Sequence, residues 1–181
     1  MRQVDFGATA RDYARYRGGF PDSLFERLAA LGIGLPGQRV VDLGTGTGSF
    51  ARGFAKRGCR VIGIDCSLPM LTAARELDRE AGLRIEHRAA RAEATGLPTA
   101  SAEVVAAGQC WHWFERPRAA AEVARLLVPG GRAAICHFDW QARDANVVAA
   151  TESLIGQHNP NWSWEGGADL YAEWPGDLAA A

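Results

Sequence analysis

The sequence predicts a doubly wound α/β domain, and three observations predict it. Five short apolar runs punctuate the chain, at Arg39–Leu43, Arg60–Ile64, Arg84–Arg88, Val104–Gly108 and Arg132–His137. Segments of helical periodicity alternate with them, the pattern of β-α-β units and a parallel sheet. The first run ends in three glycines within five residues, Gly44, Gly46 and Gly48, and a helical segment follows at once. The expected strand order is 3-2-1-4-5, with the glycine turn at the crevice where the order reverses.

Composition bounds the answer. A chain of 181 residues suits one domain with a real core, so residues 1–181 are expected to form a single unit. It is 48% hydrophobic and 23% charged, an ordinary globular composition. A formal net charge of −1, with no basic stripe, argues against a nucleic acid or an acidic membrane as partner. Lys56 is the only lysine, and the arginine-rich, alanine-rich composition reads as codon bias. The opening residues lack a charged-then-apolar signal pattern. No apolar run approaches the roughly 20 residues that span a bilayer. Cys59, Cys66, Cys110 and Cys136 show no CxxC spacing, so neither zinc nor a disulfide framework is expected, and reduced thiols in the cytoplasm are the default.

The helical segments follow in order. Asp22–Leu31 carries Leu24, Phe25, Leu28 and Leu31 on one face, with Asp22 as the expected N-cap after Pro21. Ser49–Arg57 is expected to end at Gly58, and Leu68–Glu80 near Gly82. Arg118–Leu127 is stopped by Pro129, Gly130 and Gly131, and Asp144–Gln157 is a further helix. Before Asp22 lies "ATARDYARYRGGF", read as a short helix and a loop.

A strand, a tight glycine turn and a helix together make an anion and nucleotide site. Glycine lets a ligand approach the backbone, and the helix aims free N–H groups at it. A phosphate-binding Walker A loop is excluded, since no Gly-Lys-Ser/Thr follows. The dinucleotide pattern GxGxxG fails from Gly44, because Ser49 stands where the last glycine is needed; a weaker GxGxxA reading from Gly46 to Ala51 survives. Asp65 stands at the tip of the second strand, 17 residues after Gly48. A carboxylate there suits both hydroxyls of a ribose, and also suits the start of the next helix. It does not separate a nicotinamide dinucleotide from S-adenosylmethionine. Asp42 lies inside the first strand, where burial is costly without a partner. It is suited to ordering the glycine loop or to reaching a bound ammonium group through water.

The stretches "VVDLGTGTG", "IGIDCSLPML", "AEATGLPTAS", "GQCWHWF" and "LLVPGGR" occur in that order. In this the chain resembles the class I S-adenosylmethionine (SAM)-dependent methyltransferases, in the ubiquinone/menaquinone-biosynthesis-like and trans-aconitate-methyltransferase-like group. The resemblance covers about Tyr13 to Phe138 and implies SAM as cofactor. It implies that Gly44, Thr45, Gly46 and Gly48 line the methionine part, that Asp65 holds the ribose, and that Cys66 sits beside it. Met70 either packs near the adenine or belongs to the helix core. Where the family often carries an acid-small pair reading the adenine edge, this chain has Arg91-Ala92. The Ala92 amide and Glu93 are the expected replacements. Gln109 and Cys110 would face the sulfonium. "YARYR" resembles the family's Tyr-x-x-Tyr-Arg, so Tyr13, Tyr16 and Arg17 would close over the methionine carboxylate, or else form a plain surface helix.

The implied reaction is in-line attack of a nucleophile on the SAM methyl group, which needs no metal. The four histidines, His87, His112, His137 and His158, are scattered and make no metal cluster. "CWHWFE" is the expected substrate edge for a small-molecule acceptor. Trp111 and Trp113 would wall the pocket, and His112 would accept a proton or simply bond a loop. Two alternatives stay open: an NAD(P)-dependent oxidoreductase and a catalytically silent SAM-binding domain.

The resemblance further implies two strands after the fifth, yet only residues 138–181 follow it, with Trp162, Trp164, Tyr171 and Trp174 among them. The expectation is a C-terminally truncated domain that exposes its fifth strand and forms homo-oligomers through it.

Overall fold

In the computed structural model, residues 19–138, 146–159 and 174–179 are described. Tyr13, Tyr16, Arg17, Trp162, Trp164 and Tyr171 lie outside them. The chain divides into two compact units between Cys136 and His137.

The first unit runs α1 (Asp22–Ala30), β1 (Arg39–Leu43), α2 (Ser49–Ala55), β2 (Arg60–Asp65), α3 (Leu68–Glu80), β3 (Glu86–Ala89), β4 (Ala102–Gly108), a 3-10 turn (Trp111–Trp113), α4 (Arg116–Leu126) and β5 (Leu127–Cys136). The strands form one sheet ordered β3-β2-β1-β4-β5, and every pairing is parallel. The central strands are buried on both faces, as a parallel sheet requires: Val40, Val41, Leu43, Val104 and Val105 are all at most 2% exposed. One face packs against an aromatic cluster in which Phe50 and Phe54 lie 4.8 Å apart between ring centroids and Phe25 meets Phe54 edge-on at 5.3 Å.

Three local expectations are corrected. Asp22 does not cap α1. Pro21 holds the N-cap position with extended backbone, and Asp22 is the first helical residue, paired with Arg57 at 3.0 Å. The third strand starts at Glu86 rather than Arg84, because α3 ends in a turn at Gly82 and the chain needs Leu83–Ile85 to reach register with Ile62. The fifth strand starts at Leu127 rather than Arg132. Ala102 pairs with Leu127 and Val104 with Arg132, so residues 128–131 bulge out within the strand. The Pro-Gly-Gly sequence makes that bulge, with Gly130 at φ +78°.

In the second unit, α5 (Val147–His158) begins at Asn146, whose side chain accepts the Ala149 amide. None of the α5 residues is buried. In α6 (Trp174–Ala179), Trp174 packs edge-on to His137 at 5.7 Å. Among the described residues no helix is long and apolar enough to cross a membrane.

Candidate active site

The glycine turn leaves β1 with all three glycines in the left-handed region, at φ +63° for Gly44, +56° for Gly46 and +81° for Gly48. That conformation is strained for any other residue. Gly48 is also the N-cap of α2. At Gly44 the need is steric as well, because a Cβ there would lie 2.8 Å from Cys110 Sγ and 3.0 Å from Phe114 Cζ. Around Gly46 the space is open, with nothing within 4 Å of a Cβ position.

Two aspartates hold this turn. Asp65 Oδ2 accepts the Gly46 amide at 2.8 Å and Asp65 Oδ1 accepts the Ser67 amide at 2.8 Å. One carboxylate thus ties the tip of β2 to the turn after β1. Asp42 is 1% exposed, and its Oδ2 accepts the Thr45 hydroxyl at 2.6 Å. Burial pushes its carboxyl up to about 7, against the downward pull of Thr45 and the Ala51 amide. Asp42 Oδ1 makes no well-formed hydrogen bond among the described residues. It is therefore suited to a polar or cationic group from outside the chain.

Gln109 follows β4 with φ +62°, uncommon for a residue with a side chain. Its amide donates to the Cys136 carbonyl at 2.8 Å, which fixes the strained turn. This reversal swings Cys110 over Gly44, where the thiol donates to the Leu43 carbonyl at 3.1 Å. Burial pushes the Cys110 thiol well above its usual range, and the nearby Asp42 and Asp65 charges add to the effect, so it stays neutral. The 3-10 turn then buries Trp111 (1% exposed), edge-on to Phe114 at 5.7 Å. It leaves His112 exposed and Trp113 54% exposed, their rings 4.9 Å apart.

The remaining expected residues are placed as follows. Cys66 is exposed beside Asp65. Met70 is buried in α3 and clusters with Ala73. Ala92 is buried. Glu93 accepts the Glu115 amide at 2.9 Å and pairs with Arg91 at 3.2 Å. Burial raises the Glu93 carboxyl, but the amides and Arg91 outweigh it, so the net shift is downward. The geometry thus gathers the glycine turn, Asp42, Asp65, Gln109 and Cys110 at the carboxyl ends of β1, β2 and β4, where ligands bind in open α/β sheets. Sequence reasoning missed Gly63, Arg52, Asp78 and His87, which lie beneath the turn. The one signal for them was a glycine inside a strand pattern, which marks a close approach.

Comparison with known proteins agrees with this architecture. A family profile described as a methyltransferase domain matches residues 41–135. A protein of Mycobacterium tuberculosis named an uncharacterized methyltransferase is 33% identical over 157 residues, covering 85% of this chain and 60% of that protein. A demethylmenaquinone methyltransferase of Thermus thermophilus is 34% identical over 104 residues, covering 56% of this chain and 47% of that one. A solved structure assigned as a type II methyltransferase of Anaeromyxobacter dehalogenans superposes with a TM-score of 0.66 at 29% identity, over 87% of this chain and 63% of that chain. This chain spans less than two thirds of the length of each of these relatives. With a profile match over more than half its length and a sheet of the same order, the chain belongs to the methyltransferase domain family, among the class I SAM-dependent methyltransferases.

Proposed function

We propose that the protein binds SAM across the carboxyl ends of β1 and β2 and transfers its methyl group to a small-molecule acceptor beyond β4. The observation that carries this reading is the Asp65–Gly46 hydrogen bond beside the open space at Gly46. It presents a carboxylate with unused lone pairs next to a backbone that a ligand can touch. The local charge fits as well. Asp65, together with Asp42 when that carboxyl is ionised, makes the region around Cys110 negative, which favours a cationic ligand.

The cofactor supplies a methyl group already activated as a sulfonium. The chain's own residues then position and exclude water. Gly44, Thr45, Gly46 and Gly48 cradle the methionine part, and Asp65 accepts the ribose hydroxyls. We assign the adenine contact to the Ala92 backbone, since Glu93 is bonded to Glu115 and Arg91. Gln109, Cys110 and Phe114 wall the methyl-donor end. The exposed His112 and Trp113 border the acceptor, and His112 takes the proton of a hydroxyl or acidic nucleophile.

Calorimetry on the purified chain is the test. S-adenosylhomocysteine (SAH) is expected to bind and NADH is not. NADH binding without any response to SAH overturns the reading.

A further inference from the structure

Beneath the glycine turn lies a buried polar row that the proposed chemistry does not use. Asp42 of β1 pairs laterally with Gly63 of β2, and Gly63 with His87 of β3. Laterally paired residues of a parallel sheet face the same side, so the three positions form one line across it. Gly63 leaves a gap in that line. A Cβ there would lie 2.7 Å from His87 Nδ1 and 2.9 Å from Thr45 Oγ1, so the loop's threonine and the imidazole fill the gap from either side.

The row continues upward. His87, whose side chain is wholly buried, contacts Asp78 of α3 through Nε2 at 2.6 Å. The other oxygen of Asp78 accepts from Arg52 of α2 at 3.1 Å. The same Arg52 nitrogen donates to the Thr47 carbonyl at 2.6 Å, inside the glycine turn. Asp78 is 4% exposed and the Arg52 side chain 17%. Buried charges of this kind are costly unless each is paired, and are an expensive way merely to pack a helix on a strand. Here they end on a loop carbonyl that no element of secondary structure fixes.

We propose that Arg52, Asp78 and His87 are positioning residues for the cofactor loop. His87 is braced by β3, Asp78 by α3, and Arg52 carries that restraint to Thr47. The turn is thereby held from below in the shape set by its internal bonds, Gly46 N–H to Asp65 and Gly48 N–H to the Thr45 carbonyl, before a ligand arrives. Arg52 also lies near enough to pull the Asp42 carboxyl down, so the network supports the charge as well as the shape of the site. The proposal rests on the SAM reading only for what the loop binds; that the loop is held does not depend on it.

The experiment uses the full chain with two readouts: hydrogen exchange of residues 45–49 without ligand, and SAH affinity by calorimetry. Arg52→Met is expected to speed exchange in that segment at least tenfold, to leave β4 protected, and to weaken SAH at least tenfold. Arg52→Lys, which still reaches the Thr47 carbonyl, is expected to recover most of both. His87→Asn, which withdraws the Nε2 contact with Asp78, is expected to act in the same direction as Arg52→Met. Val123→Ala in α4, outside the network, should lower the melting temperature without changing either readout. If Arg52→Met fails to fold, the Arg52→Lys and His87→Asn chains carry the same comparison. Unchanged exchange in residues 45–49 across these variants overturns the proposal. Failure of the wild-type chain to bind SAH overturns the cofactor reading instead, and the exchange readout still decides the network.

Discussion

Asp65 Oδ2 accepts the amide of Gly46 at 2.8 Å, although the two residues lie 19 positions apart on different strand tips. The carboxylate is therefore the clamp of the loop beside it, and in the proposed function it also accepts ribose hydroxyls. On that proposal Asp65→Ala removes the ribose acceptor, and it strands two amides, those of Gly46 and Ser67. SAH affinity is expected to fall by about 1–3 kcal/mol, roughly five- to 150-fold, with a lower melting temperature. Asp65→Asn keeps one acceptor oxygen and should lose less of both. Calorimetry and thermal unfolding on the two variants check the order.

Gly44 and Gly46 share a left-handed backbone but differ in what surrounds them. Alanine at either position meets backbone strain of about 1–2 kcal/mol. At Gly44 the added methyl also collides with Cys110 and Phe114, whereas at Gly46 it enters open space. Gly44→Ala is thus expected to cause the larger loss of stability in urea unfolding. Gly46→Ala should cause the larger loss of SAH affinity relative to its loss of stability, because its methyl occupies room the ligand needs. The reverse ranking would place the ligand elsewhere.

The turn and Asp65 were legible in the sequence because each is local: three glycines at the end of an apolar run, an acid at the end of the next. Alternation predicted a parallel sheet, and its order came from the glycine turn and Asp65 at one crevice together with the family resemblance. What the sequence hid depends on register. Nothing in "VIGID" announces that Gly63 falls opposite Asp42 and His87, or that His87 meets Asp78 across α3 and β3. The Pro-Gly-Gly segment reads as a helix stop, yet the chain is already extended at Leu127, so it becomes a bulge inside β5. Glu93 reads as a free acid near a ligand, but the Glu115 amide, 22 residues on at the start of α4, donates to it.

His112 stands exposed beside Trp113, on the 3-10 turn that follows Gln109 and Cys110. A base acting on the acceptor has no part in holding the cofactor. His112→Gln is therefore expected to lower SAH release from SAM at least tenfold, measured with a small-molecule extract as acceptor source, while SAH affinity stays within twofold. Unaltered release would reduce His112 to a loop residue.

Asp42 gives the site a pH dependence whose sign is fixed by its burial. Its carboxyl titrates at about 7 in the folded chain against about 4 when unfolded, so the folded state holds its proton more tightly. Below pH 4 the residue is neutral in both states and costs little. As pH rises from about 4 to 7 the unfolded chain ionises first, and stability falls by up to about 4 kcal/mol; above 7 the cost is constant. Asp42→Asn removes the titration, so its urea midpoint should gain on the wild type steadily between pH 5 and 7 and hold that gain at pH 8. A cationic ligand near Oδ1 favours the ionised form and so expels the proton. SAM binding at pH 6.5 is therefore expected to release up to one proton, read from the dependence of the calorimetric heat on the buffer's ionisation enthalpy. Asp42→Asn should abolish that dependence, and a wild-type chain that takes up protons on binding would show that the ligand's charge is not felt by Asp42.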